Sequence, residues 1–373
     1  MLHSPSLLMT LLAFVLVLGP LVLVHELGHY LVGRWFGVKA EAFSIGFGKE
    51  VAGWTDRRGT RWKLSALPLG GYVQFAGDMN AMSQPDGRHA DDGLTAEQRA
   101  VTFHAKPLWQ RSLIVLAGPL TNLLFAVAIF AAFNFAYGRV EVSAQIAAFG
   151  EQSVAREAGL ELGDRIVTID GEKIESFTDI PEHVVPYPGR TVEIAVLRDG
   201  RERVFPVRIA LAVEKDEFGN EARVGRLGIA AGKAAFVPVG PVEAVRLGVE
   251  QSLGIMRMMA TGIAQIFTGE RSVRELGGPL KIAKYSGEQL SLGWERYVSF
   301  VALISINLAF INLLPIPALD GGHLAFYAAE AVRRKPLGLR SQEWAFRTGL
   351  ALVLALMLFV TINDLATLPI FGG

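Results

Sequence analysis

Apolar and polar positions divide this chain into four long apolar runs, separated by segments that alternate or turn. Leu7 to Val24 carries no charge and passes directly into Val24-His25-Glu26-Leu27-Gly28-His29. Ser112 to Tyr137, Ser299 to about Leu319 and Ala345 to about Leu368 are the other three. Each can cross a hydrocarbon core of about 30 Å as a helix. No basic region precedes the first run and no small-residue cleavage site follows it, so it reads as a retained span rather than a signal peptide. Between runs one and two, Val38–Phe47 and Trp62–Phe75 are rich in β-formers and bounded by glycines, which predicts a small sheet or hairpin pair against the membrane. Gly77–Ala105 is polar and glycine-punctuated, the composition of a mobile loop. Residues 140 to 231 alternate as strands with short helices, and an Asp199-Gly200 turn joins strands at Thr191–Leu197 and Arg203–Ile209.

The expected organisation is a first span over 1–37, a β region with its loop over 38–111, and a second span over 112–137. A folded insert follows over 138–231, then a linker with amphipathic helices over 232–298. A third span over 299–323, a loop over 324–344 and a fourth span over 345–373 complete it. The fold class is a multi-pass α-helical membrane protein of four transmembrane helices, with a membrane-associated β region and one inserted α+β domain. Composition agrees: 51% hydrophobic and 19% charged residues over 373 positions is too apolar for an ordinary soluble protein and too charged for a compact all-membrane bundle.

Charge sets the orientation. The segment between spans one and two carries Arg34, Lys39, Lys49, Arg57, Arg58, Arg61, Lys63, Arg88, Arg99, Lys106 and Arg111. The short segment after span three carries Arg333, Arg334, Lys335 and Arg340, whereas no Lys or Arg precedes span one. Both basic segments are expected in the cytoplasm, with 138–298 and both termini outside. That topology brings His25–His29 and Asp320 to one side of the membrane, although hundreds of residues separate them. Net charge is zero and no basic stripe is present, which leaves nucleic acid without a binding surface. With no cysteine, any metal must be held by histidine and carboxylate.

Histidines four apart on a helix share a face, about 40° from alignment, so two imidazoles can reach one ion. Glu26, next to the first, is placed as a general base toward water activated by a metal. Unpaired, these groups would be costly at that depth. Span three ends in Asn307-Leu308-Ala309-Phe310-Ile311-Asn312-Leu313-Leu314-Pro315-Ile316-Pro317-Ala318-Leu319-Asp320-Gly321-Gly322-His323. Two prolines and a Gly-Gly pair cannot sit in a regular helix, and unwound backbone at membrane depth persists only inside protein or beside a wet cavity. A lone carboxylate there calls for a cation, so Asp320 is the third candidate ligand, with the fourth position left for water or substrate. His323 is at most a neighbour of the ligands, and His89 and His104 read as solvated. Asn307 and Asn312 are either helix–helix hydrogen-bonding groups or contacts to a substrate backbone. In Gly118-Pro119-Leu120-Thr121-Asn122, close packing explains Gly118, and Asn122 is a further candidate contact. Gly70 and Gly71 in the β region and Pro315 and Pro317 in the unwound segment are candidate substrate-binding positions.

Within the insert, Ala158-Gly159-Leu160-Glu161-Leu162-Gly163-Asp164-Arg165-Ile166-Val167-Thr168-Ile169-Asp170-Gly171 resembles a PDZ domain, a fold that binds peptides by adding a strand to a sheet edge. Taken with His25-Glu26-Leu27-Gly28-His29, Gly118–Asn122 and Asn312–Gly322 in this order, nearly the whole chain resembles a bacterial site-2 protease. It is close to the regulator-of-sigma-E protease group of peptidase family M50. The resemblance implies an inner-membrane zinc metalloprotease that cuts transmembrane segments of single-span proteins such as anti-sigma factors, and remnant signal peptides. It implies Zn2+ on His25, His29 and Asp320, catalysis by Glu26, and substrate contact by Asn312. Gly277-Gly278-Pro279 resembles a motif of that group preceding span three. The chain departs from the group in having room for one PDZ domain rather than two. A non-catalytic PDZ-bearing scaffold and a metal transporter are the competing readings. The scaffold needs no metal, and the transporter needs polar ligands spread through several spans.

Overall fold

The computed structural model describes residues 6–77, 95–215, 221–269, 273, 277–335 and 338–367. Residue His89 lies outside them. The chain divides into two compact units, Met1–Ile129 with Gly278–Ile362, and Phe130–Gly277 with Asn363–Gly373.

In the first unit, Ser6 caps α1 (Leu7–Trp35) by accepting the Met9 N–H at 3.3 Å. Its 29 residues make a rod of about 43 Å, enough to span a bilayer. Two strands follow, β1 (Ala40–Thr55) and β2 (Arg61–Phe75), and both bend back on themselves. Ala42–Ile45 pairs with Gly71–Gln74 on one side and Arg61–Leu64 on the other, while Glu50–Thr55 pairs with Arg61–Ser65. The result is a four-segment sheet, the first of the two expected alternatives, with Gly71–Gln74 at one edge. After a short α2 (Ala96–Val101), α3 runs from Leu108 to Tyr137 and starts four residues earlier than the apolar run suggests. A core of Tyr30, Val38, Phe43, Val73, Phe75, Phe103 and Ile114 binds α1, the sheet and α3 together.

The second unit contains β3 (Arg139–Glu141), β4 (Ile146–Phe149), α4 (Val154–Glu157), β5 (Arg165–Ile169), β6 (Glu172–Lys173) and α5 (Ile180–Val184). It continues with β7 (Thr191–Arg198), β8 (Arg201–Arg208), β9 (Ala210–Lys215), β10 (Glu221–Arg226), β11 (Ile229–Ala231), β12 (Ala235–Val237) and α6 (Pro241–Thr268). One sheet has the order β6-β5-β7-β8, and β9–β10, β4–β11 and β3–β12 pair separately, all antiparallel. Positive φ at Asp199 (51°) and Gly200 (75°) makes the two-residue primed turn whose twist matches β7 and β8. Ile146, Leu160, Ile166, Ile169, Ile194 and Ile209 fill the core.

The chain returns to the first unit with α7 (Pro279–Ser291), α8 (Trp294–Leu313), α9 (Asp320–Arg333) and α10 (Leu339–Thr367). Two expectations are corrected here. Span three ends at Leu313, not near Leu319 or at 323, because Pro315 and Pro317 cannot continue the backbone ladder. The segment after it is no loop: Asp320 opens α9, and the basic Arg333 sits in its last turn, where a helix C-terminus favours cations. Among the described residues four helices, α1, α3, α8 and α10, are long and apolar enough to cross a membrane. Leu352, Leu358 and Ile362 on α10 are exposed, an arrangement that lipid stabilises and water does not.

Candidate metal centre

Helical spacing in α1 brings the His25 and His29 rings into a T-shaped contact, 84° apart with centroids 4.9 Å from one another. Their Nε2 atoms are 3.3 Å apart. Asp320, the first residue of α9, places Oδ2 3.2 Å from His25 Nε2 and 3.6 Å from His29 Nε2. Oδ2 is buried yet makes no hydrogen bond of acceptable geometry. Among the described residues this is the one group of three metal-competent side chains, with all ligand atoms within 4.8 Å. Two imidazole nitrogens and one carboxylate oxygen match the donor set of a catalytic zinc site, and the bare oxygen is what a cation would complete. The residues fit the ion.

Several local features hold this geometry. His29 Nδ1 lies 2.8 Å from the Ile114 carbonyl, its natural acceptor. Gly118 passes directly behind the rings: a β carbon there would overlap His29 Nε2 and stand 2.9 Å from His25 Cε1. Gly28 in turn meets the α3 backbone at Ala117, and Thr121 Oγ1 donates to the Val24 carbonyl at 3.1 Å. On the other side, Gly321 packs on the carbonyls of Leu313 and Leu314, and Gly322 on that of Ile316, so neither tolerates a side chain. Gly349 lets α10 approach the Pro317 carbonyl. Ala318 is held at φ 85°, a left-handed conformation an alanine seldom adopts. Arg111, at the start of α3, reaches Glu330 at 3.5 Å and covers the Tyr327 ring at 5.0 Å, tying α9 to α3.

Glu26 is buried, with the Val73 backbone beside it. Gly71 makes this approach possible, since a β carbon there would lie 3.0 Å from Glu26 Cγ and 2.8 Å from Val22. The edge segment Gly71–Gln74 therefore borders Glu26. Gly70, at φ 106°, turns the chain against the Phe47 ring. Asn307 and Asn312 are half-buried, and among the described residues neither amide has a hydrogen-bond partner. Pro315 is exposed and Pro317 half-buried in the unwound segment. Asn122 is fully buried and faces His25, a contact with the active site. His323 stands outside the trio, 6.5 Å from the Tyr327 ring, and His104 packs on Phe103. The Val73 backbone, the Ile114 carbonyl and Gly349 escaped sequence reasoning. Only Gly349, a lone glycine in an apolar run, left any signal.

Residues 13–356 match peptidase family M50. Over 360 residues the chain is 44% identical to a protein of Mesorhizobium japonicum that carries the name zinc metalloprotease, covering 95% of this chain and 98% of the relative. A protein of the same name in Agrobacterium fabrum is 43% identical over 359 residues, 95% of each chain. The metalloprotease MmpA of Caulobacter vibrioides is 35% identical over 388 residues, 98% of this chain and 97% of that one.

Proposed function

The chain belongs to peptidase family M50 and is a zinc metalloprotease with several membrane-spanning helices; from that premise we propose that it cleaves peptide bonds within transmembrane segments of single-span proteins. In this reading His25, His29 and Asp320 hold the zinc and Glu26 is the catalytic base. The observation that carries it is the convergence of three donors from α1 and α9, one of them a buried carboxylate oxygen without a hydrogen bond. Ligands gathered at one point also speak against a transporter, and a scaffold has no use for them.

Bound zinc supplies a Lewis acid that polarises the scissile carbonyl and acidifies water. Glu26 takes the proton of the attacking water and returns it to the departing amide nitrogen. The Val73 backbone beside Glu26 can steady its carboxylate for both transfers. A transmembrane helix hides its peptide bonds in its own ladder, and each group freed in lipid costs several kcal/mol if unsatisfied. The Gly71–Gln74 edge can take an extended stretch of substrate as an added strand, with Gly70 and Gly71 shaping that edge. The amides of Asn312 and Asn307 on α8, without a hydrogen-bond partner among the described residues, can hold the opposite side.

The further parts of the reading are an inner-membrane location, a centre nearer the cytoplasmic face, and anti-sigma factors or remnant signal peptides as substrates. Residues 138–231 are read as a periplasmic PDZ domain. The order of strands and turns supports this, as does β11, which among the described residues pairs on one side only. Purified full-length protein with a single-span reporter tests the catalytic role. Glu26→Gln should cut cleavage by about a hundred- to ten-thousand-fold with zinc retained, and a chelator should stop wild-type cleavage until zinc is restored. Undiminished cleavage by Glu26→Gln overturns the role of Glu26.

A further inference from the structure

Ile114, Gly118 and Asn122 recur at four-residue spacing on α3, and each meets the histidine pair on α1. Ile114 offers a carbonyl 2.8 Å from His29 Nδ1. Gly118 leaves room where the rings pass. Asn122 sets its carboxamide 3.4 Å from His25 Nδ1. That turn of α3 is pinned from behind, because Ser305 Oγ on α8 donates to the Asn122 carbonyl at 2.8 Å. Both rings therefore direct Nε2 toward Asp320 and Nδ1 toward α3.

A ring that lends its Nε2 lone pair to a metal carries its proton on Nδ1, which makes Nδ1 a donor in need of an acceptor. His29 has the Ile114 carbonyl. For His25, the carboxamide of Asn122 answers the need only through Oδ1. With Nδ2 toward the ring, two donors would oppose each other, and Oδ1 is left buried without a partner. A half-turn of the amide exchanges its two ends with almost no change of shape. We propose that Asn122 is a positioning residue whose Oδ1 accepts the His25 Nδ1 proton, holding the tautomer that presents Nε2 to the ion. The inference rests on the reading of His25 and His29 as zinc ligands. Complete burial keeps Asn122 from touching substrate, so it acts through His25 alone.

The test is the zinc affinity of the purified full-length chain, measured by competition with a chromophoric chelator. Wild type, Asn122→Leu, Asn122→Asp and His25→Ala are compared. Removing such a partner should weaken zinc binding about 10- to 100-fold in Asn122→Leu. Asn122→Asp, nearly the same shape and able only to accept, should stay within about threefold of wild type or bind more tightly. Equal affinity of Asn122→Leu and wild type overturns the proposal, and so does a weakening in Asn122→Asp as large as that in Asn122→Leu. Should Asn122→Leu not fold, the Asp variant decides alone, since a donor role for the amide predicts a loss there. His25→Ala separates the two layers. If it binds zinc as wild type does, the ligand reading fails; if only His25→Ala loses zinc, the role of Asn122 fails by itself.

Discussion

Two carboxylates, one in each unit and each with a buried oxygen, show how differently a protein can hide a charge. Asp164 in the inserted module is saturated. Arg198 donates to its Oδ1 from Nε at 2.7 Å and to its Oδ2 from Nη2 at 2.6 Å, and the Glu161 N–H adds a third bond at 2.8 Å. Arg198 is in turn held by Glu161, the Gly159 carbonyl and the Phe205 ring. At Asp320 the Oδ2 atom instead sits between two imidazole nitrogens and, among the described residues, makes no hydrogen bond of acceptable geometry. A buried acid whose two oxygens are both hydrogen-bonded fastens a fold, whereas one whose buried oxygen faces two metal-competent nitrogens is equipped for a cation.

The comparison can be broken at either end. The largest effect is expected at Gly118→Val, whose side chain would occupy the space of the two rings. Zinc affinity should fall by at least about 100-fold, while melting of the inserted module stays where it was. Asp164→Asn should do the reverse, lowering the stability of the inserted module by about 2–4 kcal/mol with zinc affinity unchanged. Loss of zinc in Asp164→Asn would show that the two acids are not independent.

Acid sharpens the same contrast. Burial pushes the Asp164 carboxyl up, but its bonds to the Arg198 guanidinium and the Glu161 N–H outweigh this and hold it below its ordinary 3.8. Since the folded value lies below the unfolded one, its stabilisation is complete above about pH 4 and fades as pH falls through the folded value. Thermal melts of the inserted module between pH 7 and 3 should therefore steepen in wild type and flatten in Asp164→Asn. The smallest effect belongs to Ala318→Gly. Relief of the left-handed strain beside Asp320 should raise stability by no more than about 1 kcal/mol, read as a small rise in melting temperature.

The two halves of the centre were legible from the chain for a physical reason. A spacing of four residues puts His25 and His29 on one helical face whatever surrounds them, and Pro315, Pro317 and Gly321-Gly322 forbid a continuous helix before Asp320. Partners chosen by tertiary contact were not legible. Asn122 is an amide like Asn312, yet packing buries the first against His25, while the second has no hydrogen-bond partner among the described residues. The sheet was half read: β-forming residues marked Val38–Phe47 and Trp62–Phe75, but only register places Ala42–Ile45 between two neighbours and brings the Val73 backbone to Glu26. The rest of α9, from Leu324 to Arg333, reads as a loop because its basic C-terminus resembles a solvated turn.

Element analysis by mass spectrometry on clean preparations, wild type beside Asp320→Ala, addresses the shared ion most directly. About one zinc per wild-type chain and almost none in Asp320→Ala is the predicted result. An active wild-type protein free of transition metal, or an Asp320→Ala protein with its full complement of zinc, would contradict it.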